Sequence, residues 1–539
     1  MTSTHRRLTI ALSASLLSAA TAAQEIHLHS LVPPGIDEDA RFGSSVDLDG
    51  TIAVVGASQL DNPATGFFWE GAVFVFDTET RQLLHTLQTP ATSHFEDLGR
   101  SVAVEDGRIV AGMDSPANQH RAPVFDLATG LEILQLKPVT SGPLQNFGAG
   151  VDLAGGIAVV SDPSWRPNFF ATPHRGAVWS YDVETGQQLL QFDEAFDSDT
   201  RLFGEALATD GNRLVVGAPH SSHGPGANRG IAYLYDLSTG AEIAELLPPG
   251  TASGDLFGNS VAVGGGFVAV SAPGSDFPTP DAGRVWVFDA ETGSELYSVT
   301  GTGSDQNPFF GVTLRISGPF LAVSNTSDLF PSTGLSSVHV FDLATGEELF
   351  VLKDAADPPE PFLGSNLAFD GDLLLHGHPY YGQLPDISGR ASTFELPATL
   401  AGVPATVSSS AGGSQSMVLV TGSHQAGNLY LLLGSLSGTS PGLPTGGAFT
   451  APILPLNLDA YLLYTLTTAG AGAPPLAGAL GIFGADGVAL ASFNLPPGLS
   501  PSLVGQTLHH AYAVFDATPI PGEPSLDKVS NPLSVTIAP

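Results

Sequence analysis

The sequence contains no cysteine and few basic residues, and each absence excludes a class of function. Without cysteine there are no disulfides, no cysteine metal ligands and no cysteine nucleophile. The 18 Lys and Arg are outnumbered by 53 Asp and Glu, and the resulting net charge of −35 repels phosphate backbones and anionic lipids. After the N-terminal segment, every apolar stretch is broken by Gly, Pro or polar residues before it could span a membrane. We therefore expect neither a nucleic-acid partner nor a membrane span.

Residues 1–23 have the order of a secretory signal peptide. His5, Arg6 and Arg7 form a basic start, Leu8 to Ala19 is apolar, and small residues lead up to Gln24. We expect cleavage before Gln24 and a secreted protein that is extracellular, surface-bound or periplasmic. Since the leader carries two arginines and no acids, cleavage would move the net charge from −35 to −37.

A Phe-Gly or Leu-Gly pair recurs along two thirds of the chain. The seven pairs are Phe42-Gly43, Leu98-Gly99, Phe147-Gly148, Phe203-Gly204, Phe257-Gly258, Phe310-Gly311 and Leu363-Gly364. The six steps from Gly43 to Gly364 give a mean period of about 54 residues. Repetition at this period with strand-type patterning predicts a propeller or an array of small sheets.

The fifth copy shows how one repeat divides into four strands. These are predicted at Asn259 to Val263, Phe267 to Ser271, Arg284 to Phe288 and Glu295 to Val299. The strands are apolar on both alternations, which indicates sheets covered on both faces, as in the blades of a propeller. The glycine of each pair is expected to open the innermost strand, where a Cβ would obstruct, and the aromatic ring to lie between blades.

An aspartate recurs at the end of the third predicted strand in six copies, and in five of them a glycine follows four residues later; after Asp77 that position is Arg81. The six are Asp77, Asp126, Asp182, Asp236, Asp289 and Asp342. A carboxylate in that place accepts hydrogen bonds from turn amides, and the glycine supplies a positive φ. We interpret these residues as turn formers rather than as an acidic active site.

The repeat resembles the FG-GAP repeat of integrin α-chain propellers and of secreted bacterial proteins. Its namesake residues are Phe203-Gly204 with Gly217-Ala218-Pro219. The resemblance implies a seven-bladed β-propeller over residues 24–397 that serves as a binding or adhesion scaffold. Where calcium-binding relatives carry a long D-x-D-x-D-G loop, this chain has short turns, so no metal or other cofactor is expected; Asp47 and Asp49 are the remnant to test.

The ring closes through the N-terminus in this interpretation. Copy seven lacks a fourth strand, whereas Glu25 to Leu31 resembles the fourth strands of the other copies, so it should pair with Ala391 to Leu396. Residues 398–539 are rich in short strand patterns between Gly and Pro turns, which favours a β-sandwich. We expect the protein to be a monomer.

Long loops of the propeller carry aromatic residues and should share one face. Connections between strands two and three, and from one blade to the next, emerge together on that face, which we call the loop face. Its ligand-binding candidates are Trp69, Trp165, Phe170, Tyr380 and Tyr381. Exposed aromatic rings suit an extracellular protein or glycan as partner, and the alternative is that they fold inward and pack the loops.

Candidate chemistry beyond binding is sparse. His376 and His378 would share one face of a strand, as a metal site requires, but no third ligand stands at a diagnostic spacing. The sequence has no G-x-S-x-G, H-E-x-x-H or phosphate-loop motif. We therefore expect a non-catalytic protein. The alternatives are a polysaccharide lyase or hydrolase, or a quinone-dependent enzyme, whose propeller repeats the segment VFDAETGSEL resembles.

Overall fold

The structure is a computed structural model of the full chain, and every element assigned in its described part is a β-strand. Within that part, no helix is long and apolar enough to cross a membrane. The described residues are 6–11, 24–36, 39–62, 65–90, 94–113, 121–139, 146–166, 175–193, 202–222, 227–276, 281–301, 309–325, 337–353, 366–371, 373–379, 389–396, 399–403, 406–408, 410–411, 413–421, 428–436, 443–444, 453–454, 476–477, 479–484, 488–495, 497, 504–515, 526–530 and 533–539. The chain divides into two compact units, residues 1–370 with 374–394, and residues 371–373 with 395–539.

The first unit contains seven four-stranded antiparallel blades, here called blades 1 to 7, and an N-terminal strand joins blades 6 and 7 into one nine-stranded sheet. The prediction of a seven-bladed propeller is thus confirmed. Blade 1 consists of β3 (Phe42–Asp49), β4 (Ile52–Ala57), β5 (Ala72–Asp77) and β6 (Leu83–Leu87). Blade 2 consists of β7 (Val102–Glu105), β8 (Arg108–Ala111), β9 (Ala122–Asp126) and β10 (Leu131–Leu136). Blade 3 consists of β11 (Val151–Ala154), β12 (Ile157–Asp162), β13 (Ala177–Asp182) and β14 (Gln188–Phe192). Blade 4 consists of β15 (Ala206–Thr209), β16 (Arg213–Ala218), β17 (Ile231–Asp236) and β18 (Glu242–Leu246).

The remaining blades follow the same order of strands. Blade 5 consists of β19 (Val261–Gly264), β20 (Phe267–Ala272), β21 (Arg284–Asp289) and β22 (Glu295–Val299). Blade 6 consists of β23 (Leu314–Ser317), β24 (Phe320–Asn325), β25 (Ser337–Asp342) and β26 (Glu348–Lys353). Blade 7 consists of β27 (Asn366–Asp370), β28 (Leu373–His378), β29 (Arg390–Glu395) and the N-terminal β2 (Gln24–Leu31).

The ring is closed by contacts between the innermost strands and by the N-terminal strand. Each innermost strand contacts that of the next blade, and β27 of blade 7 contacts β3 of blade 1. The outer strand β2 pairs antiparallel with β29, with His29 opposite Thr393 and Leu31 opposite Ala391. This is the pairing expected from the missing fourth strand of copy seven.

A strand also forms within the expected leader, which the sequence analysis placed outside the fold. This strand, β1 (Arg6–Ala11), lies between β2 and β26, with Arg6 opposite Leu28 and Ala11 opposite Val351. The β-prone stretch Leu8 to Ile10 meets two outer strands whose backbone groups would otherwise be open, which explains the pairing. In a chain cleaved before Gln24, β2 and β26 would be the outer edges of their blades.

Each Phe-Gly pair packs one blade against the blade before it. Phe257 is fully buried among residues of blades 4 and 5, including Leu234 of the first and Trp286 of the second. A Cβ on Gly217, the glycine of the Gly-Ala-Pro segment, would overlap the carbonyl oxygen of Gly258 and lie 3.0 Å from its carbonyl carbon. The Phe-Gly and Gly-Ala-Pro segments therefore recur together because they are the two sides of one close approach between blades.

The recurrent aspartates are turn formers, as predicted. In blade 4, Asp236 Oδ1 accepts hydrogen bonds from the backbone and hydroxyl of Thr239, at 2.9 and 3.0 Å. The equivalent Asp and Thr are bonded in blades 1, 2, 3, 5 and 6. The side-chain hydroxyls of Ser238 and Thr239 and the turn amides lower the pKa of Asp236 to about 2.

The second unit is a β-sandwich. Its first sheet contains β30 (Thr399–Val403), β32 (Gly413–Val420), β38 (Val488–Leu495) and β36 (Leu476–Ala477). Its second sheet contains β31 (Thr406–Ser408), β41 (Leu533–Ala538), β39 (Thr507–Phe515), β33 (Leu429–Ser435), β37 (Leu480–Ile482) and β40 (Leu526–Val529). Two short strands, β34 (Leu443–Pro444) and β35 (Ile453–Leu454), form a separate pair. Buried side chains of both sheets, such as Leu419 and Tyr512, share one core.

Candidate functional site

Loops of neighbouring blades are hydrogen-bonded to one another on the loop face. Between blades 1 and 2, the amide of Phe95 donates to the carbonyl of Phe68 at 2.9 Å. The amide of Asp97 donates to Trp69 at 3.0 Å, and that of Leu98 to Glu70 at 3.0 Å. The loop between β4 and β5 is thus fixed against the connection between β6 and β7, which gives side chains of both loops defined positions.

This paired backbone carries a cluster of aromatic side chains, which we call the aromatic patch. It consists of Phe67, Phe68, Trp69, His94 and Phe95. The rings of Phe68 and His94 are stacked at 5.4 Å between centroids, and those of Trp69 and Phe95 meet edge to face at 5.1 Å. Phe68 is 56% exposed, Trp69 39% and Phe95 47%. Rings that contact one another and remain this exposed form a ready surface for a ligand.

Hydrogen bonds made by polar side chains fix the backbone that carries the aromatic patch. Asp61 Oδ1 accepts the amide of Trp69 at 2.9 Å, and His94 Nδ1 accepts the amide of Phe68 at 2.9 Å. The buried carboxylate of Glu70 accepts Asn62 Nδ2 at 2.9 Å and also the hydroxyl of Thr65. Because these bonds fix the backbone beneath the rings, little side-chain and loop ordering remains to oppose binding.

The same backbone arrangement recurs between blades 4 and 5 without the rings. There the amide of Gly254 donates to Ala227 at 3.1 Å, and that of Leu256 to Asn228 at 3.3 Å. Counted from the adjacent glycines of each copy, Phe68 corresponds to Ala227, Trp69 to Asn228 and Phe95 to Gly254, and these three small residues are exposed as well. This hydrogen-bonded arrangement of two loops, which we call the frame, therefore forms without aromatic side chains. The rings of the aromatic patch are not needed to form it.

Two of the patch residues adopt a backbone conformation that disfavours them. Trp69 and Phe95 have φ of 54° and 65°, and Asn228 and Gly254 share that left-handed region with φ of 55° and 91°. Asn and Gly tolerate this region, whereas an aromatic residue loses about 1 kcal/mol or more there. The backbone conformation at positions 69 and 95 therefore does not by itself favour aromatic residues there.

Of the other sequence-predicted ligand residues, Trp165 lies within the described part of the chain and is not part of the aromatic patch. Trp165 is only 6% exposed and packs edge to face on Trp179 at 6.2 Å, so for this residue the inward alternative holds. Phe170, Tyr380 and Tyr381 lie outside the described residues. His94 and Phe95 were missed by the sequence analysis, although an alignment of copies two and five places Phe95 opposite Gly254.

The histidine and acidic candidates for a metal are engaged inside the blades. His376 Nδ1 lies 2.6 Å from His378 Nε2, both rings are buried, and burial lowers the pKa of His376 to about 3. Asp49 Oδ2 accepts the amide of Asp106 at 2.9 Å. Among the described residues, no three His, Asp or Glu side chains are grouped closely enough to hold a metal ion.

Asp47 lies on the innermost strand of blade 1, deep in the protein although part of its side chain is accessible. Its Oδ2 accepts the amide of Val104 in blade 2 at 2.7 Å. Burial, with the nearby negative charge of Asp152, raises the pKa of Asp47 to about 7, against a smaller opposing effect of Arg315. The carboxylate thus joins two blades, and its pKa is raised well above its ordinary value.

Blade 6 contains three residues in the bonding order of a nucleophilic triad. Ser337 Oγ lies 2.8 Å from His339 Nε2, and His339 Nδ1 lies 2.5 Å from Glu348 Oε1. Ser337 and His339 have no exposed surface, and the hydroxyl of Ser337 also donates to Asn325 Oδ1 at 2.9 Å. The group joins β24, β25 and β26, and its serine is not presented to a substrate.

Fold and sequence together define the class of protein as a β-propeller followed by a β-sandwich. The chain carries FG-GAP repeats: the FG-GAP repeat family model matches residues 28–76 and 241–288. Each matched segment begins on an outer strand and continues through three strands of the next blade, β2 to β5 and β18 to β21. The sequence repeat is therefore offset from the blade by one strand, in agreement with closure of blade 7 by β2.

Two solved structures are similar to this chain at low sequence identity. The β-propeller domain of the trilobed protease from Pyrococcus furiosus, described as having an open velcro topology, is 11% identical with a TM-score of 0.42, over 65% of this chain and 92% of its own. A europium-containing methanol dehydrogenase is 12% identical with a TM-score of 0.37, over 68% of this chain and 93% of its own. Both are similarities of fold and say nothing of activity. No curated protein matches the chain.

Proposed function

We propose that the protein is a secreted, non-catalytic binding or adhesion module that recognises an extracellular protein or glycan through the loop face of its propeller. The observation that supports this most strongly is the aromatic patch, in which exposed Phe68, Trp69 and Phe95 occupy positions that blade 4 and blade 5 fill with Ala, Asn and Gly. Aromatic residues of this kind dominate the energy of binding surfaces.

The rigid frame beneath the patch also favours a binding role. Hydrogen bonds between the loops of blades 1 and 2 hold Phe68 and Phe95 in place before any ligand arrives. Preorganisation of this kind reduces the entropy that association must overcome. The strongly acidic chain, with a net charge of −35, makes a neutral or cationic partner more favourable than an anionic one.

The test replaces three aromatic residues of the patch by the residues that stand at the equivalent positions between blades 4 and 5. A triple variant, Phe68→Ala with Trp69→Asn and Phe95→Gly, keeps the frame and removes three rings, and Asn228→Ala is the control on the blade 4–5 frame. Full-length protein, the triple variant and the control are screened on arrays of glycans and of extracellular proteins. We expect ligands that bind the wild type and the control but not the triple variant. Identical binding profiles for all three would contradict the proposal.

A further inference from the structure

We infer that the ligand of the aromatic patch is a neutral polysaccharide of β-linked pyranose rings with equatorial hydroxyls. The inference rests on the proposed function of the same surface and specifies its ligand. A sugar ring of this type presents axial C–H groups on its two flat faces and hydroxyls around its edge. It therefore needs aromatic faces to cover its apolar sides and short polar groups beside them.

The rings of the patch form one continuous series, which suits a chain of sugars. Phe67 contacts His94 at 4.9 Å, His94 contacts Phe95 at 5.9 Å, and Phe95 contacts Trp69 at 5.1 Å. Phe68 stacks on His94 and so joins the same series of rings. A linear polymer can place successive residues along such a series, whereas a single small molecule would use only part of it.

The surroundings of the rings are polar. Asp61 holds the amide of Trp69 through Oδ1, which leaves its Oδ2 to accept a sugar hydroxyl. In residues 58–62, 65–71 and 94–100, the large apolar side chains that are exposed are Phe68, Trp69 and Phe95, and none is aliphatic. The core of a protein interface usually extends its aromatic residues with further apolar area, Met and Arg. Exposed aromatic rings without exposed aliphatic side chains in the same segments fit a glycan better.

Charge selects among glycans. A chain with a net charge of −35 repels uronate and sulfated polymers, so the acidic polysaccharides are disfavoured. A cationic polymer would be attracted by charge, and its binding would weaken as salt screens the attraction. Stacking of a neutral sugar on aromatic rings depends little on salt. The salt dependence of the affinity therefore distinguishes a neutral from a cationic ligand.

The experiment titrates full-length protein with defined oligosaccharides by calorimetry. Cellohexaose and xylohexaose are the neutral probes, a galacturonate hexamer is the anionic probe and a chitosan hexamer is the cationic probe. Each is measured at low salt and at about 0.5 M salt, where charge interactions are screened within a few ångströms. The wild type, the triple variant and the Asn228→Ala control are compared.

The inference predicts that a neutral hexamer binds the wild type and the control with a Kd that salt changes less than about twofold, and that the triple variant loses about tenfold or more. Salt-sensitive binding of the chitosan hexamer alone, lost in the triple variant, overturns the neutral-glycan inference and leaves the patch as a binding surface. If no sugar binds, but a protein from the array binds the wild type and not the triple variant, the neutral-glycan inference is also overturned and the patch remains a binding surface. Neutral-sugar binding that survives in the triple variant overturns both proposals.

Discussion

Asp47 Oδ2 accepts a 2.7 Å hydrogen bond from the backbone amide of Val104, which belongs to the next blade. Asp152 makes the equivalent bond to the amide of Thr209, also at 2.7 Å. The amides at the inner edge of a blade have no strand beside them, so a carboxylate from the neighbouring blade satisfies them instead. These bonds tie blade 1 to blade 2 and blade 3 to blade 4 near the centre of the ring.

Replacing Asp47 by Asn should stabilise the protein above neutral pH. The pKa of Asp47 is about 7 in the folded state against 3.8 when unfolded, so its stabilising contribution is complete below pH 3.8 and is lost as pH rises through 7. Asn keeps an oxygen acceptor for Val104 without the buried charge. At pH 8, where the wild type carries that charge, we expect a gain of roughly 1–3 kcal/mol, measured by denaturant unfolding.

Measurements of stability against pH should distinguish the effect of Asp47 from that of an aspartate in a turn. Asp236→Asn is the matched control, because hydrogen bonds lower the pKa of Asp236 to about 2 and its contribution is lost only in strong acid. Between pH 5 and 8 the stability that Asp47→Asn gains over the wild type should grow with pH, whereas the difference between Asp236→Asn and the wild type should stay constant. A stability difference for Asp47→Asn that does not change with pH across this range would contradict the assignment.

The close approach of Gly217 to Gly258 should make Gly217→Ala severely destabilising. A Cβ there meets the backbone of the next blade, which cannot move without shifting the blade, so we expect a loss of about 3 kcal/mol or more. Gly254→Ala is the contrast: its φ is 91°, but nothing lies within 4 Å of the added Cβ, so only backbone strain of about 1 kcal/mol applies. Thermal unfolding of both variants measures the difference, and equal losses would contradict the packing argument.

Closure of the ring predicts different results for two N-terminal deletions. Removal of residues 1–32 deletes β2, leaves β29 as an open edge and should lower the unfolding temperature markedly. Removal of residues 1–23 deletes β1 but keeps the β2–β29 pairing, so it should lower the unfolding temperature much less. If the two truncated proteins melt at the same temperature, β2 does not close the ring.

The propeller should fold without calcium. Strands one and two are joined by short turns, such as Asp106-Gly107 between Glu105 and Arg108, and Asp47 and Asp49 accept hydrogen bonds from backbone amides. EDTA should therefore leave the unfolding temperature unmoved. A fall of several degrees on chelation that calcium reverses would show that a metal supports the fold.

The sequence predicts the repeating parts of the fold well, because they follow from local rules. Strand four of blade 5 is predicted at Glu295 to Val299 and found at Glu295–Val299, and strand one, predicted at Asn259 to Val263, is found two residues later at Val261–Gly264. The turn role of Asp236 follows from its spacing to Thr239 and Gly240. These features depend on alternation and turn chemistry within one repeat.

The aromatic patch is less predictable from the sequence because it depends on contacts between repeats. Phe95 reaches Phe68 only when two loops of different blades are hydrogen-bonded, and no periodicity within one copy encodes that. Whether a loop aromatic residue faces solvent is also undecided by the sequence: Trp69 lies outside and Trp165 lies inside, with no difference in their local patterns that would say so.

The triple variant should be as stable as the wild type although it loses three rings. Removing Trp69 and Phe95 from the left-handed region recovers roughly 1 kcal/mol at each position, which offsets the loss of ring contacts worth about 0.5–1.5 kcal/mol per pair. We expect the free energy of unfolding to stay within about 1 kcal/mol of the wild type. A large loss of stability would mean that the rings serve the fold.

The most direct test of the account uses Trp69 as its own reporter. Of the four tryptophans, Trp69 is 39% exposed, whereas Trp165, Trp179 and Trp286 are exposed by 6% or less. Tryptophan emission is followed while full-length protein is titrated with cellohexaose. The account predicts a saturable change in the wild type that disappears in Trp69→Asn. No change in the wild type, or a change that persists in Trp69→Asn, would contradict it.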